Sequence, residues 1–300
     1  MKELVVISGK GGTGKTSLTA AFAALAENHL LCDTDVDAAD LHLLLAPRIV
    51  ETHNFIGGSK AAIIAEDCSG CGLCTELCRF AAISDDFVVD PMECEGCGVC
   101  RAFCPEEAVD FQPRKCGEWF SSTTRFGPLV HARLGVGEEN SGKLVSLIRK
   151  QAQFLAEQSG LELIVTDGPP GIGCPVIASI TGATALLIVV EPSVSGLHDM
   201  QRVAELARHF KIPAMACINK YDLNEEMSSV IEDETKRRKL MTVGRIPFDP
   251  AFTRAMVKGE TIIEYDPSAQ VVETVSSIWR TIRSSEFMTK KEARILPIMK

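Results

Sequence analysis

An α/β fold is what this sequence predicts, with a mainly parallel sheet, helices on both faces and a small inserted α+β unit. Three observations predict it. Short apolar runs alternate with helix-period segments along most of the 300 residues. A glycine-rich loop of the form G-x-x-x-x-G-K-[ST] separates the first run from the first helical segment. Eight of the twelve cysteines fall in two runs of identical spacing inside one acidic stretch.

The elements follow in order. Residues 2–7 read as a short apolar strand, the glycine loop follows, and residues 15–27 carry helical periodicity. Residues 30–32 read as a strand running into Asp33-Thr34-Asp35-Val36-Asp37. Gly and Ser accumulate over 54–60 and mark a boundary. The cysteine unit takes 61–113, which divides the chain into one discontinuous domain, 1–60 with 114–300, and one inserted domain. Beyond it come a strand at 128–136, a helix at 141–158, and a strand at 161–166 that ends in Asp167-Gly168-Pro169-Pro170-Gly171. Strands at 185–190, 214–218 and 241–246 alternate with helices at 196–210 and 268–283; the last aligns Val271, Val275, Ile278 and Ile282 on one face. Seven or eight mainly parallel strands result, and ligands of such sheets bind beyond the strands' carboxyl ends. The loops after Ile7, Cys32, Thr166 and Ile218 should therefore gather at one site.

Composition narrows the function. With 46% hydrophobic and 24% charged residues the chain can bury an ordinary globular core. No apolar run approaches the roughly 20 residues of a membrane-spanning helix. No basic-then-apolar leader precedes the first strand, so a cytoplasmic protein is expected. The formal net charge of −9 argues against a nucleic-acid partner. Residues 62–113 hold 11 acidic and 2 basic side chains, and the rest of the chain holds 29 of each. The excess thus belongs wholly to the cysteine unit, which has its own electrostatics and suits a basic partner surface.

Gly9-Lys10-Gly11-Gly12-Thr13-Gly14-Lys15-Thr16, followed by Ser17, is the phosphate loop. Its glycines let backbone N–H groups approach phosphate oxygens at a helix N-terminus. Lys15 should reach the β- and γ-phosphates, and the Thr16 hydroxyl should bind Mg²⁺. The form G-K-G-G-x-G-K-[ST] resembles the deviant phosphate loop of the MinD, ParA, Mrp and nitrogenase-iron-protein family of P-loop ATPases. That resemblance implies ATP hydrolysis, and a homodimer, or a heterodimer with a related ATPase, that closes on ATP with Lys10 reaching the partner's nucleotide. It also implies that Asp33-x-Asp35 is the first switch, with Asp35 orienting or deprotonating the attacking water and counted with Thr16 and Asp167 in the Mg²⁺ site, and Asp33 beside the Mg²⁺ shell. Asp167 to Gly171 is similar to the second switch, with Asp167 on Mg²⁺ through water and Gly171 near the γ-phosphate. Gly168 departs from the residues the family often carries there. Asn219-Lys220-Tyr221-Asp222 and Arg245-Ile246-Pro247-Phe248-Asp249 resemble the two base-side loops, which makes Asn219, Pro247 and Asp249 nucleotide contacts. The form Asn219-Lys220-x-Asp222 is shared with GTPases, so base identity stays open. The likeness spans residues 1–56 and 117–283.

Cys68-x-x-Cys71-x-x-Cys74-x-x-x-Cys78 and Cys94-x-x-Cys97-x-x-Cys100-x-x-x-Cys104-Pro105 match the spacing of bacterial two-cluster ferredoxins. In that pattern the fourth cysteine of each run serves the other cluster. One [4Fe–4S] cluster would then take Cys68, Cys71, Cys74 and Cys104, and the second Cys94, Cys97, Cys100 and Cys78. Zinc knuckles use paired rather than triple Cys-x-x repeats, and structural disulfides need an oxidising compartment. Arg79 stands where the pattern usually has proline. Cys32 and Cys217 read as small buried apolar residues. Cys174 lies seven residues after Asp167, where the nitrogenase iron protein is similar, and a bridging third cluster on Cys174 and Cys116 is one hypothesis.

Lys143 reads as a solvated helix start. The tail from 284 sets Lys290, Lys291, Arg294 and Lys300 beside Phe287, Ile295, Leu296 and Ile298. It resembles MinD's amphipathic membrane helix, but Pro297 interrupts it, and no membrane binding is expected. The whole resembles MinD- and Mrp-type ATPases with an inserted ferredoxin domain. It implies ATP-gated electron transfer to a redox or acceptor protein, with two alternatives: an iron–sulfur or metal-cofactor assembly carrier, and a spatial or redox-sensing switch.

Overall fold

The computed structural model describes residues 1–135, 138 and 140–290. Among these, nine strands form one sheet. They are β1 (Lys2–Ser8), β2 (His29–Asp33), β3 (Arg48–Ile63), β4 (Val109–Thr124), β5 (Gly127–Leu134), β6 (Leu163–Pro170), β7 (Ala185–Val190), β8 (Ala214–Asn219) and β9 (Met241–Ile246), in the order β3-β4-β5-β2-β6-β1-β7-β8-β9. From β5 to β9 every neighbouring pair is parallel; β3 and β4 are antiparallel additions at one edge.

The helices are α1 (Lys15–Leu25), α2 (Leu41–Leu45), α3 (Leu73–Leu77), α4 (Val99–Ala102), α5 (Ser141–Gln158), α6 (Cys174–Ile180), α7 (Val194–His209), α8 (Glu225–Arg237), α9 (Ala251–Val257), α10 (Ile262–Tyr265), α11 (Gln270–Ser284) and α12 (Glu286–Thr289). Strand alternation distributes them over two faces. Leu4 and Val6 of β1 enter the cluster of Leu18, Phe22, Val275 and Ile278 under α1 and α11. Val5 and Ile7 enter the cluster of Val176, Met200 and Val203 under α6 and α7. A third cluster, with Leu144, Val145 and Ile148 of α5, covers β2 and β5. Val271, Val275, Ile278 and Ile282 of α11 are all buried, as their spacing predicts. Phe22 stacks on Trp279 at 5.0 Å between centroids, worth about 1 kcal/mol beyond area burial.

The sheet departs from expectation at its edge. Residues 54–60, read as a boundary, lie inside the 16-residue β3, and β4 runs through 117–124, where no strand was expected. Residues 48–52 at the start of β3 are exposed on both faces, so they carry no period-two signal to read. β3 and β4 pair from Arg48↔Thr123 to Ile63↔Val109 as a long ribbon. Residues 64–108 cross its far end with α3, α4 and an Ile83↔Val89 bridge. The expected boundaries at 60/61 and 113/114 therefore fall within paired strands. Residues 291–300 of the basic tail lie outside the described residues.

Candidate functional site

Register puts the chemistry at the carboxyl ends of the central strands. β2 and β6 pair with Asp33 opposite Asp167, so two acids stand side by side under the phosphate loop that follows β1. Both are buried. Burial, and then the neighbouring Asp167 carboxylate, push the Asp33 carboxyl well above its usual range; burial also raises Asp167, against the pull of Lys15. Thr16 donates to Asp167 Oδ2 at 2.7 Å, and Thr19 to Asp167 Oδ1 at 3.1 Å. Asp33 Oδ1 accepts from the Asp35 N–H at 3.1 Å, while its buried Oδ2 has no hydrogen-bond partner among the described residues. Lys15 Nζ contacts Asp35 Oδ2 at 2.7 Å. Burial draws the Lys15 ammonium down, but Asp167, Asp35 and Asp33 outweigh it, and its pKa lies above the ordinary value. An orphaned carboxylate oxygen, a second carboxylate and a threonine hydroxyl are the hard oxygen donors that Mg²⁺ prefers, so the residues fit that ion.

Around them opens a cleft of about 380 Å³. It gathers Gly11, Gly12, Gly14, Lys15, Thr16, Ser17, Asp35, Asn219, Pro247 and Asp249, most of the predicted set, drawn from four separate loops. Gly14 has φ +90°, and a Cβ there would stand 2.4 Å from Asn219 Nδ2. Asn219 donates to Thr13 O at 2.8 Å and accepts from Lys220 N–H at 3.1 Å; Lys220 Nζ donates to Gly12 O at 3.0 Å. Both residues thus brace the phosphate loop. Asp222, the residue behind the GTPase likeness, accepts instead from the Phe248 N–H at 2.6 Å. Gly171 does not line the cleft, and its N–H donates to Ser8 O at 2.9 Å. Gly9 packs against α7, where a Cβ would meet Asp199 Cβ at 2.0 Å.

Sequence reasoning missed three kinds of residue. Thr19 anchors Asp167, and only its position one turn after Lys15 could have signalled that. Phe252 and Met256, one turn apart on α9, join Phe248 to give the cleft an apolar end. Glu191 ion-pairs with Lys10, whose ammonium also donates to Ser195 Oγ at 3.2 Å and Ser193 Oγ at 3.4 Å. Lys10 is therefore held within its own chain.

The cysteines form two small pockets on the ribbon. One is lined by Cys68, Cys71, Cys74 and Cys104 with Ile63, Leu73, Phe87 and Val109. The other is lined by Cys78, Cys94, Cys97 and Cys100 with Phe80, Ile83, Val99 and Phe111. The two linings divide the eight cysteines four and four, with Cys104 beside the first run and Cys78 beside the second. Turn residues Gly70, Gly72, Gly96 and Gly98 all take positive φ. Among the described residues no three His, Cys, Asp or Glu side chains converge closely enough for a single metal ion. A cube spreads its thiolates over four irons, and sulfur-lined apolar pockets fit that group. Cys32 and Cys217 are core residues, the latter with its thiol pushed up to about 12 by burial. Cys116 is buried in the ribbon and Cys174 exposed at the start of α6; they line different cavities. Lys143, expected at a solvated helix start, is exposed at the start of α5. No helix among the described residues is long and apolar enough to cross a membrane.

Comparison with known proteins agrees with this geometry. Residues 4–262 match the family described as CobQ/CobB/MinD/ParA nucleotide binding domain. The chain is 30% identical over 284 residues to the uncharacterized protein MJ0578 of Methanocaldococcus jannaschii, covering 94% of this chain and 96% of that one. Its fold is similar to that of the Pyrococcus furiosus cell division ATPase MinD, with a TM-score of 0.59 and 18% identity, covering 94% of this chain and 98% of that chain. It is also similar to the Aquifex aeolicus MinC:MinD cell division complex, with a TM-score of 0.58 and 20% identity, covering 97% and 99%. With the family match spanning most of its length and the phosphate loop lying in the matched cleft, the chain belongs to the CobQ/CobB/MinD/ParA nucleotide-binding family and is a MinD/ParA-type P-loop protein.

Proposed function

We propose that the chain is a Mg²⁺-dependent ATPase in which nucleotide-driven dimer closure controls electron transfer through two [4Fe–4S] clusters. The observation that carries this reading is the pairing of a phosphate cleft with two four-cysteine pockets, on a ribbon that begins shortly after Asp35. The phosphate loop N–H groups and Lys15 bind the β- and γ-phosphates. Thr16, Asp33 and Asp167 hold Mg²⁺, which when bound neutralises charge at the γ-phosphate. Phosphate oxygens compete with Asp35 for the Lys15 ammonium, so ATP binding releases Asp35 to orient or deprotonate the attacking water. Lys10 leaves Glu191 and reaches the partner's nucleotide in a homodimer, or in a heterodimer with a related ATPase. Gly171 moves with its loop toward the γ-phosphate. The base is adenine, stacked at the apolar end by Phe248, Phe252 and Met256 and flanked by Asn219, Pro247 and Asp249.

Cys68, Cys71, Cys74 and Cys104 hold one cluster and Cys94, Cys97, Cys100 and Cys78 the other; clusters held there supply one-electron transfer. The link to the nucleotide is backbone hydrogen bonding. Leu134 N–H donates to Val36 O at 3.1 Å beside Asp35, and Gly135 N–H donates to Cys116 O at 2.8 Å on the ribbon. A shift of the acidic loop therefore pulls on the strand that carries the second cysteine pocket. The test is anaerobic reconstitution with iron and sulfide counting. About eight irons per chain, falling to about four in Cys71→Ser with ADP binding kept, is expected of two four-iron cubes. One zinc per pocket, or no ATP turnover in the loaded protein, contradicts the proposal.

A second reading, a cluster or metal-cofactor assembly carrier, is favoured by the exposure of Cys71 and Cys97, one in each pocket. Transfer of iron to an apo acceptor under ATP control supports it. The spatial or redox-sensing switch draws its support from the MinD and ParA neighbours, and ATP-dependent filament or membrane association is its test.

A further inference from the structure

Segments far apart in sequence line the nucleotide cleft, and one side chain outside it joins two of them. Ala38 and Asp40, just ahead of α2, line the cleft, and so do Phe252, Thr253 and Met256 of α9. Both helices are followed by left-handed residues: Ala46, with φ +43°, after α2, and Gly259, with φ +69°, after α9. Alanine takes that conformation rarely, so its surroundings must hold it there. The two helix ends lie side by side, and a Cβ on Gly259 would stand 3.3 Å from Leu43 O.

Arg125 occupies this junction. It sits in the two-residue connection between Thr124 of β4 and Gly127 of β5. Its Nη1 donates to Leu45 O at 2.9 Å. Its Nη2 lies 2.7 Å from Leu44 O, 2.8 Å from Glu264 Oε2 and 3.1 Å from Gly259 O, with two hydrogens shared among three acceptors. Nε donates to Glu264 Oε1 at 2.5 Å, which completes a two-pronged ion pair, the strong geometry for arginine. The carbonyls of Leu44 and Leu45 are among those that a helix end leaves without partners. Glu264 is fixed in turn, because it closes the capping box of α10 with Thr261. The hairpin turn is braced as well. Thr124 Oγ1 donates to Gly127 O at 2.8 Å and accepts from the Phe126 N–H at 3.1 Å, and the guanidinium lies 4.8 Å over the Phe126 ring. Among the described residues no other side chain hydrogen-bonds to both the α2 and the α9–α10 segments.

We propose that Arg125 is a positioning residue of the nucleotide site, fixing α2 against α9 so that the apolar end of the cleft keeps the width of a base. Arg125 does not itself line the cleft. It acts through Phe252 and Met256, whose helix it anchors one turn beyond Met256. The phosphate loop joins β1 to α1 and makes no bond to Arg125. The proposal rests on the reading of the apolar end as the base subsite.

The experiment is calorimetric titration of ADP and of inorganic pyrophosphate, each with Mg²⁺, into the full chain as wild type, Arg125→Met, Arg125→Lys and Glu264→Gln. Pyrophosphate reads the phosphate loop alone, and the ratio of the two affinities reads the base end. Wild type should bind ADP at least tenfold more tightly than pyrophosphate. Arg125→Met should lose at least tenfold in ADP affinity while its pyrophosphate affinity stays within about twofold. Arg125→Lys should not restore the ratio, because one ammonium cannot span four partners in a fixed fork. Glu264→Gln, which can still close the capping box, should fall between the two, and it carries the comparison if Arg125→Met does not fold. An arginine that only holds the fold together would lower the urea midpoint and weaken both ligands alike. Equal losses for the two ligands, or a ratio unchanged in the variants, overturn the proposal. A wild type that binds pyrophosphate as tightly as ADP removes the base reading, and the proposal with it.

Discussion

Lys15 Nζ and Asp35 Oδ2 form a buried ion pair at 2.7 Å, so the phosphate-binding lysine and the first acidic loop hold each other directly. Removing one partner of such a pair strands the other's charge, at about 3–5 kcal/mol. Lys15→Ala should therefore lose ATP turnover and also lower the urea midpoint, because Asp35, Asp33 and Asp167 keep no internal cation. Adding Asp35→Asn should recover part of the midpoint but none of the turnover. Iron content should stay at the wild-type level in both variants.

Lys10 is tethered to Glu191, Ser193 and Ser195 of its own chain. Its pairing is partly exposed and contributes little to folding, so Lys10→Ala should leave the melting temperature within about a degree or two. ATP-dependent dimerisation and hydrolysis should fall together, read by light scattering and phosphate release, with ADP binding unchanged. Dimers that still form with ATP would rule out the role across the interface.

Two glycines make opposite local predictions. At Gly14 the backbone is left-handed and a Cβ would strike Asn219, so Gly14→Ala should weaken ADP binding at least tenfold and spare iron content. At Gly96 a Cβ would stand 2.2 Å from Ser59 O on β3. Gly96→Ala should thus detach the second cysteine turn from the ribbon, halve iron content and spare ADP binding. Fluorescent ADP titration beside iron analysis reads both.

Burial, with Arg283 nearby, lowers His29 to about 4, and burial with His42 lowers His131 to about 4. Unfolded imidazoles titrate near 6.5. Above pH 6.5 both states are neutral and nothing changes. Between 6.5 and about 4 the unfolded chain takes up protons that the folded chain refuses, so stability falls with pH, by about 3 kcal/mol per histidine at completion. Asp33 and Asp167, raised by burial, act in the opposite sense as they protonate. The comparison is therefore the slope of the urea midpoint between pH 7 and 5, which His29→Leu should flatten.

The central sheet was legible because its strands are short, mostly apolar and separated by helices. Ala185–Val190 is buried at every position and was read to the residue. The cleft was legible because loop motifs carry fixed spacing, and the topology then brought Lys15, Asp35, Asn219 and Asp249 together. The ribbon was not legible. β3 exposes Ile49, Val50 and Ile56 at the sheet edge, so hydrophobic alternation is lost. Asn219 was assigned to the base from its position, but its amide also holds Thr13 O, a contact only the fold reveals. Phe252 and Met256 were invisible because a seven-residue helix is too short to show its face in sequence.

The central claim is that the nucleotide cleft and the cysteine pockets are energetically coupled. An anaerobic EPR redox titration tests it most directly, run without nucleotide, with ADP·Mg²⁺ and with a non-hydrolysable ATP analogue. Two low-potential, interacting clusters whose midpoints move with the nucleotide are the predicted result. Midpoints that stay the same in all three conditions would contradict the coupling and leave the cysteine unit a passive docking or storage module.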